Sequence, residues 1–428
     1  MRLASKLDRS FEVRSSPGLL LDGNDDLRTT VAGRRALFVT TPTVFRLYGE
    51  ALQAQIGRYG IDGRVEVLEL SEATKDVGSV LRVCGLARSF GLDRRAVLVA
   101  FGGGVCSDVT TFAASMVRRG IAHVRIPTTL VGQVDAGVGL KGGVNFQGAK
   151  NYLGCFHPPD AVLVDRAFLR TLPPREVGQG LAEIVKVALA RDAGLFAILE
   201  RLGGRLLDGR LAEPDGEGEP VVRRAIGLML EELASNPYED RSLARLVDLG
   251  HSFSPQIEAA SGFAVPHGDA VAIDMALTCL IAADLGLLAE GDALRVVRLL
   301  AALGLPTDSP LLNLELCRMS VRACALHRGG ELNLVVPTAI GRAGFLRAPS
   351  DLPEEALARG LGRLRRLDRD LLCGTVDDCG IAGGPRQPRA RGMATDGDAT
   401  GNSGGQQGHR DRRGNDPAVA TVAAALPV

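Results

Sequence analysis

The chain has 428 residues, which favours two or three domains, and 46% of them are hydrophobic, enough for sizeable cores. Lys plus Arg and Asp plus Glu each number 50, so the overall charge gives no case for nucleic acid or an acidic membrane surface as partner. Trp is absent and aromatics make up only 4%, which argues against an aromatic platform for single strands or carbohydrates.

No run of about 18 apolar residues occurs, so no transmembrane helix is expected. The opening stretch MRLASKLDRSFEVRSS lacks the apolar core of a signal peptide. The eight cysteines are scattered without a C-x-x-C pair. They are expected to be reduced, mostly buried thiols of a cytoplasmic protein.

In chain order, residues 1–30 are polar and read as an irregular lead-in. Ala36 to Thr40 reads as a strand, ended by Pro42, and Val44 to Ile56 follows as a helix. Val65 to Leu70 reads as the next strand and Asp76 to Phe90 as the next helix. Val97 to Phe101 is a β-type run that feeds into Gly102-Gly103-Gly104, and a helical pattern follows. A glycine loop at a strand-to-helix junction lets backbone N–H groups approach a phosphate, with the helix N-terminus favouring negative charge. Strand and helix alternating at this spacing predict a parallel, doubly wound sheet over residues 31–172. Beyond Pro173 the pattern is helical: Arg175 to Leu199 as one amphipathic stretch, then Val221 to Ala234, Val271 to Leu285 and Glu290 to Leu303. The expected architecture is an α/β Rossmann-like N-terminal domain plus an all-α domain over 173–372, with the active site in the cleft between them. Residues 373–428 are rich in Gly, Pro, Asp and Arg and read as a disordered tail.

The glycine run alone is a weak motif, because such loops also serve tight chain reversal. Its continuation is more specific. The blocks GGGVCSD, VRRG, PTTLVGQVDAGVGLKGGVN and AKN, in that order and spacing, resemble the sugar phosphate cyclase superfamily, whose best-known member is 3-dehydroquinate synthase. The resemblance covers about residues 30–350. It implies NAD and one divalent metal, Zn²⁺ with Co²⁺ as the alternative. It implies a carbon–oxygen lyase acting on a phosphorylated sugar, with Glu183 of GLAEIVK, His251 of LGHSFSP and His267 of VPHGDAV as metal ligands. Two imidazoles and a carboxylate with an open position suit a catalytic divalent ion.

The same resemblance assigns cofactor contacts to Glu72, Lys75, Gly103, Gly104, Val105, Asp108, Thr128, Thr129, Asp135, Lys141 and Lys150. Position alone gives Asp108 another role, an N-cap or first-turn acid. Thr41 stands where relatives often carry an acid. Catalytic roles fall on Asp135, Lys141, Lys186 and His327. Substrate contacts fall on Arg119, Lys141, Asn151, Lys186, Asp248, Pro255 and Arg328. Glu183 and Lys186, at i and i+3, share one face of a helix whose neighbours are apolar. The expected partners are a small-molecule sugar phosphate and a second copy of the chain in a homodimer, with no nucleic acid and no membrane.

The departures from dehydroquinate synthases bear on substrate. Those enzymes read G-H-T-F-G-H where this chain has Gly250-His251-Ser252-Phe253-Ser254-Pro255, so Pro255 replaces a His. Asp248 replaces an Asn, and an upstream Lys is missing from Met229-Leu230-Glu231-Glu232-Leu233. Losing a cation where a substrate carboxylate would sit disfavours that carboxylate by charge and desolvation. The expected substrate is therefore a ketose phosphate without a carboxylate. These blocks resemble the sedoheptulose 7-phosphate cyclases more than the 2-deoxy-scyllo-inosose synthases. The gadusol-pathway cyclases, which use the same sugar, are the nearest alternative. The resemblance implies transient oxidation of a hydroxyl by NAD⁺, β-elimination of phosphate, return of the hydride, ring opening and an aldol closure. Two readings of other classes compete: a metal-dependent polyol dehydrogenase, which would release NADH, and a non-catalytic sugar-phosphate sensor, which would have lost a metal ligand or Asp135.

Overall fold

Strands of a parallel sheet must be covered on both faces, so they read as continuous apolar runs. The computed structural model, which describes residues 10–214 and 216–373, shows such strands in its first half. The elements there are β1 (Glu12–Ser15), α1 (Asp26–Val31), β2 (Ala36–Thr40), α2 (Pro42–Arg58), β3 (Gly63–Val67), α3 (Val77–Ser89), β4 (Val97–Gly102), α4 (Gly104–Met116), β5 (Ala122–Pro127), β6 (Lys141–Phe146), β7 (Ala149–Phe156) and β8 (Ala161–Val164). Six of them form one parallel sheet in the order β1-β8-β5-β4-β2-β3. Every residue of β2 and β4 is buried, between one apolar cluster that includes Val80, Val83 and Val109 and another that includes Leu27, Leu52 and Phe168. β6 and β7 pair as a separate hairpin. Its two-residue turn, Gln147-Gly148, has φ of +48° and +80°, the left-handed values that a tight hairpin turn demands.

The second half is helical: α5 (Pro174–Arg191), α6 (Ala193–Leu202), α7 (Gly218–Ser235), α8 (Ser254–Ala260), α9 (His267–Asp284), α10 (Glu290–Ala302) and α11 (Leu314–His327), then the antiparallel pair β9 (Leu334–Ala339) and β10 (Arg342–Leu346), then α12 (Glu354–Cys373). Helix α9 is apolar around its whole circumference because α5, α8, α10 and α12 pack on it. Among the described residues no helix is long and apolar enough to cross a membrane.

Three sequence expectations need correction. The lead-in contains β1, which pairs in parallel with β8 at the sheet edge, and α1. The stretch from Arg175 to Leu199 is two helices. Asp192 takes an extended conformation at the break, accepts the Leu195 N–H and is gripped by Arg224. The second half also carries the β9–β10 hairpin, so it is not wholly α. The tail expected beyond residue 373 lies outside the described residues.

Asp274 ties this half together. It is fully buried on α9, and its carboxylate accepts the N–H groups of Phe253 (2.5 Å) and Ser254 (2.9 Å) and the Thr278 hydroxyl (3.0 Å). It thereby caps α8, which has no cap of its own. Burial pushes its carboxyl up to about 6, against the pull of those hydrogen bonds. The folded pKa is raised above the unfolded one, so this contribution to stability is full below about pH 4 and is lost as pH rises through about 6. In urea unfolding of metal-free protein, the stability of wild type relative to Asp274→Asn should fall by up to about 3 kcal/mol between pH 4 and 7. A difference that stays flat across that range would refute the assignment.

Candidate active site

The carboxyl ends of β2, β4 and β5, the β6–β7 hairpin and helices α5, α7, α8 and α9 enclose a cavity of about 1000 Å³. At one end, β4 enters the triple glycine. None of Gly102, Gly103 and Gly104 has a positive φ, so their role is space. A Cβ on Gly102 would come within 2.8 Å of Cys106, and one on Gly103 within 3.0 Å of Thr129. No side chain caps α4, so its first N–H groups face the cavity at Gly104, Val105 and Cys106. An uncapped helix start free of side chains suits the pyrophosphate of a dinucleotide.

Asp108 is the fifth residue of α4 and not its cap. It pairs at 2.5 Å with Lys75, which is almost fully buried. Burial opposes the Lys75 charge, but Asp108 and Glu72 outweigh it and raise its pKa. Lys75 also donates to Asn151 Oδ1 at 2.7 Å, which fixes that amide and leaves its NH₂ as a donor. Glu72 accepts from Asn145 at 3.0 Å. Asp135 sits in a wide helical turn, Gly132–Ala136. Buried Arg125 pins it by donating to the carbonyls of Ala136, Gly137, Gly139 and Lys141 and to Thr111. Desolvation lowers this guanidinium to about 10. Gly142, on β6, lies against Thr111, where a Cβ would come within 2.7 Å, so the KGG glycines seat the hairpin on α4.

Opposite these groups, α5 presents Glu183 and Lys186, 1% and 2% exposed. Lys186 Nζ touches Glu183 and lies 3.3 Å from Asp135 across the cleft. Burial opposes its charge, but Asp135 and Glu183 outweigh that and raise its pKa, so it stays an ammonium. Glu183 ionises well below the usual range: burial resists, while Lys186 and the two imidazoles prevail. His267 opens α9. Gly268 beside it lets α9 approach α5, since a Cβ there would meet Gln179 backbone at 2.5 Å. His251 follows Gly250, whose φ is +75° and whose missing Cβ leaves room for Val271 and Met275. Burial and Lys186 depress His251 to about 4. Desolvation and Lys150 oppose protonation of His267, but the neighbouring carboxylates of Glu183 and Glu258 carry it up to about 9.

Ligand atoms of Glu183, His251 and His267 lie within 4.8 Å of one another. Their fit to a divalent ion rests on three observations. Neither Glu183 oxygen receives a well-directed hydrogen bond, although both are buried. His267 Nε2 is 3.3 Å from Glu183 Oε1, near the ~3.4 Å edge of a tetrahedron with 2.0–2.1 Å bonds. Three carboxylates (Asp135, Glu183, Glu258) face two ammonium groups (Lys150, Lys186) and the His267 imidazolium, so when His267 gives up its proton to become a ligand one negative charge is left for a cation to balance.

Of the residues singled out from sequence, Glu72, Lys75, Gly103, Gly104, Val105, Asp108, Thr128, Thr129, Asp135, Lys141, Lys150, Asn151, Lys186, Asp248, Pro255, His251 and His267 line the cavity, with Glu183 behind them. Arg119 and His327 do not; both are exposed at helix ends, after α4 and at the last residue of α11. Arg328 does not line it either, and turns instead to Asp248 (3.2 Å) and the Leu332 and Asn333 carbonyls. The sequence reading missed Arg245, Glu239 and Glu258. Arg245 bonds Asp248 and Glu239, each at 2.5 Å, and Glu239 also contacts Lys141. Arg245 stands three residues before Asp248, a helical-turn spacing that could have flagged it. Glu258 had no such signal.

Comparison with known proteins places these features in a family. Residues 65–179 match the 3-dehydroquinate synthase N-terminal family and residues 180–322 the C-terminal one. The chain is 46% identical over 363 residues to a 2-epi-5-epi-valiolone synthase of Streptomyces glaucescens, covering 84% of this chain and 92% of that one. It is 35% identical to a demethyl-4-deoxygadusol synthase of Trichormus variabilis, covering 78% and 82%. The solved 2-epi-5-epi-valiolone synthase of Streptomyces hygroscopicus subsp. jinggangensis, with NAD⁺ and Zn²⁺ bound, superposes with a TM-score of 0.82. That pair is 40% identical, covering 86% of this chain and all of that one.

Exhaustive chelation should strip one divalent ion per chain, and Zn²⁺ or Co²⁺ should rebind. Glu183→Gln should weaken that binding by more than the roughly 10–100-fold typical of losing an outer partner of a metal ligand. Elemental analysis and competition with a chromophoric chelator measure both. Unchanged affinity in the variant would remove Glu183 from the ligand set.

Proposed function

Because the chain belongs to the 3-dehydroquinate synthase-like sugar phosphate cyclases, we propose that it closes sedoheptulose 7-phosphate to 2-epi-5-epi-valiolone, releasing inorganic phosphate and regenerating NAD⁺. The observation that carries the choice of sugar is the state of Arg245, at one end of the cavity, and of Arg328, behind Asp248. Arg245 is held by Asp248 and Glu239, and Arg328 by Asp248. The chain supplies its own carboxylates where an acidic sugar would bring one. Met229, Leu233, Val247 and Pro255 complete an apolar wall beside them. Glu232 is not in that wall; it turns to Arg191 and the Leu246 N–H. An extra carboxylate in the substrate would be desolvated there with no free cation to receive it.

Bound in this cavity, NAD⁺ supplies hydride acceptance and return, and a metal held by Glu183, His251 and His267 supplies polarisation of the oxygens it binds. The remaining work falls to the chain. The α4 N-terminus receives the dinucleotide phosphates, with Glu72, Thr128 and Thr129 along its length. Lys186, locked as an ammonium, donates to a sugar oxygen and does not act as a base. Asp135 accepts from a hydroxyl while staying paired to Lys186. Lys141, Lys150 and the free NH₂ of Asn151 face the phosphate from the hairpin.

A base is needed for the C–H next to the transient ketone. Among the described residues lining the cavity, Glu72, Asp108, Asp135, Asp248 and Glu258 are each engaged by a cation or an amide. Glu176, the remaining lining carboxylate, is exposed on the first turn of α5. The departing phosphate therefore serves as its own base in this reading. The homodimer belongs to the same proposal, with sedimentation equilibrium as its test.

Incubation of metal-loaded enzyme with sedoheptulose 7-phosphate should give inorganic phosphate and 2-epi-5-epi-valiolone by NMR. The carboxylated heptulosonate of dehydroquinate synthases should be turned over at least ~10³-fold less efficiently in kcat/KM, the scale expected when buried polar groups are left unmatched. Comparable values on both sugars would overturn the argument from Asp248 and the arginines.

A further inference from the structure

Glu258 is 2% exposed, lines the cavity and touches both halves of the protein. Its Oε1 is 3.0 Å from His267 Nδ1, and its Oε2 contacts the ammonium of Lys150, which reaches over from β7. Lys150 Nζ is itself 3.2 Å from the same His267 Nδ1. A carboxylate acceptor and an ammonium donor therefore compete for one ring nitrogen. If Nδ1–H donates to Glu258, Nε2 keeps a lone pair directed towards Glu183 and the metal position. If Lys150 donates to Nδ1 instead, the proton sits on Nε2, 3.3 Å from Glu183 Oε1, and the ring cannot ligate. His251 has no such ambiguity, because its Nδ1 faces the Leu249 carbonyl at 3.1 Å.

We propose that Glu258 is a positioning residue that selects the metal-binding tautomer of His267 and, with its other oxygen, holds Lys150 away from Nδ1. The proposal rests on the metal-site reading above. A carboxylate behind a ligating histidine fixes its tautomer and raises its basicity. Here the same carboxylate also anchors the hairpin arm that faces the substrate phosphate. Metal binding and the placement of Lys150 thus share one group and are energetically linked. Without Glu258, the ammonium becomes an antagonist of the metal, since it would both hydrogen-bond Nδ1 and sit near a cation with nothing to neutralise it.

The test is a double-mutant cycle on metal affinity, read by Zn²⁺ competition with a chromophoric chelator and by the visible absorption of the Co²⁺ form, without turnover. Glu258→Ala should weaken Zn²⁺ binding by 10–100-fold. Lys150→Met alone should bind no more weakly than wild type. The double variant should recover at least about a third of the affinity lost, on a logarithmic scale, because the competing donor is gone. A residue with a merely structural role gives no such recovery. Glu258→Gln keeps the side-chain volume and one acceptor oxygen. It should fall between wild type and Glu258→Ala, and it reports the same sign should the alanine variant not fold. Zn²⁺ affinity of the Glu258 variants within about threefold of wild type, or a double variant as weak as Glu258→Ala, overturns the proposal. Wild-type protein that binds no Zn²⁺ overturns the metal-site reading itself.

Discussion

The arrangement depends on one buried cation. Lys186 is out of water and can stay charged only because two carboxylates surround it, Glu183 on its own helix and Asp135 from the opposite half. Removing one partner from such a buried group leaves an uncompensated charge, typically about 3–5 kcal/mol of destabilisation. The requirement dictates where the two halves meet: α5 must face the Gly132–Ala136 turn closely enough for the ammonium to span them. Arg125 fixes that turn from behind, and the Gly268–Gln179 contact brings α9 and its histidine to the same place. Once these are set, the Glu183 oxygens, His251 and His267 converge on one point.

Charge neutralisation inside the cavity follows the same logic. Polar groups of like kind are not left to meet the ligand bare. Asp108 holds Lys75, Glu258 holds Lys150, and Asp248 holds Arg245 and Arg328. Each pair presets orientation before a ligand arrives, which reduces the reorganisation needed on binding. The pairs also define what is refused. On the proposed reading, a cavity end whose Arg245 is already held by Asp248 and Glu239 accepts a hydroxymethyl group more readily than another anion.

Much of this was legible in the sequence because it rests on local pattern. The apolar runs of β2 and β4, the glycine loop and the blocks around Glu183, His251 and His267 each announce their own geometry, and the structure gathers them into one site. What was not legible depends on partners far away. β1 is a four-residue stretch, half of it charged, that becomes a strand only because β8, nearly 150 residues on, offers an edge. The break at Asp192 follows from an Asp that caps the next helix and meets Arg224, against a helical pattern that runs straight through. Asp108 reads as a cap from its place after the glycines, yet Lys75 claims it. Glu258 and Arg245 look like ordinary charges in a helix and a loop until the fold sets them beside His267 and Asp248. Arg119, His327 and Arg328 stand in matching sequence blocks, but the chain places them outside the cavity wall.

The central claim is that both halves cooperate in a redox-neutral closure of the sugar, so the most direct measurement is stoichiometry in a single mixture. Metal-loaded enzyme with NAD⁺ and excess sedoheptulose 7-phosphate should release one phosphate per sugar consumed while absorbance at the reduced-nicotinamide band stays at the baseline after mixing. Accumulation of NADH in step with sugar consumption, without phosphate release, would contradict the account and make the protein a polyol dehydrogenase.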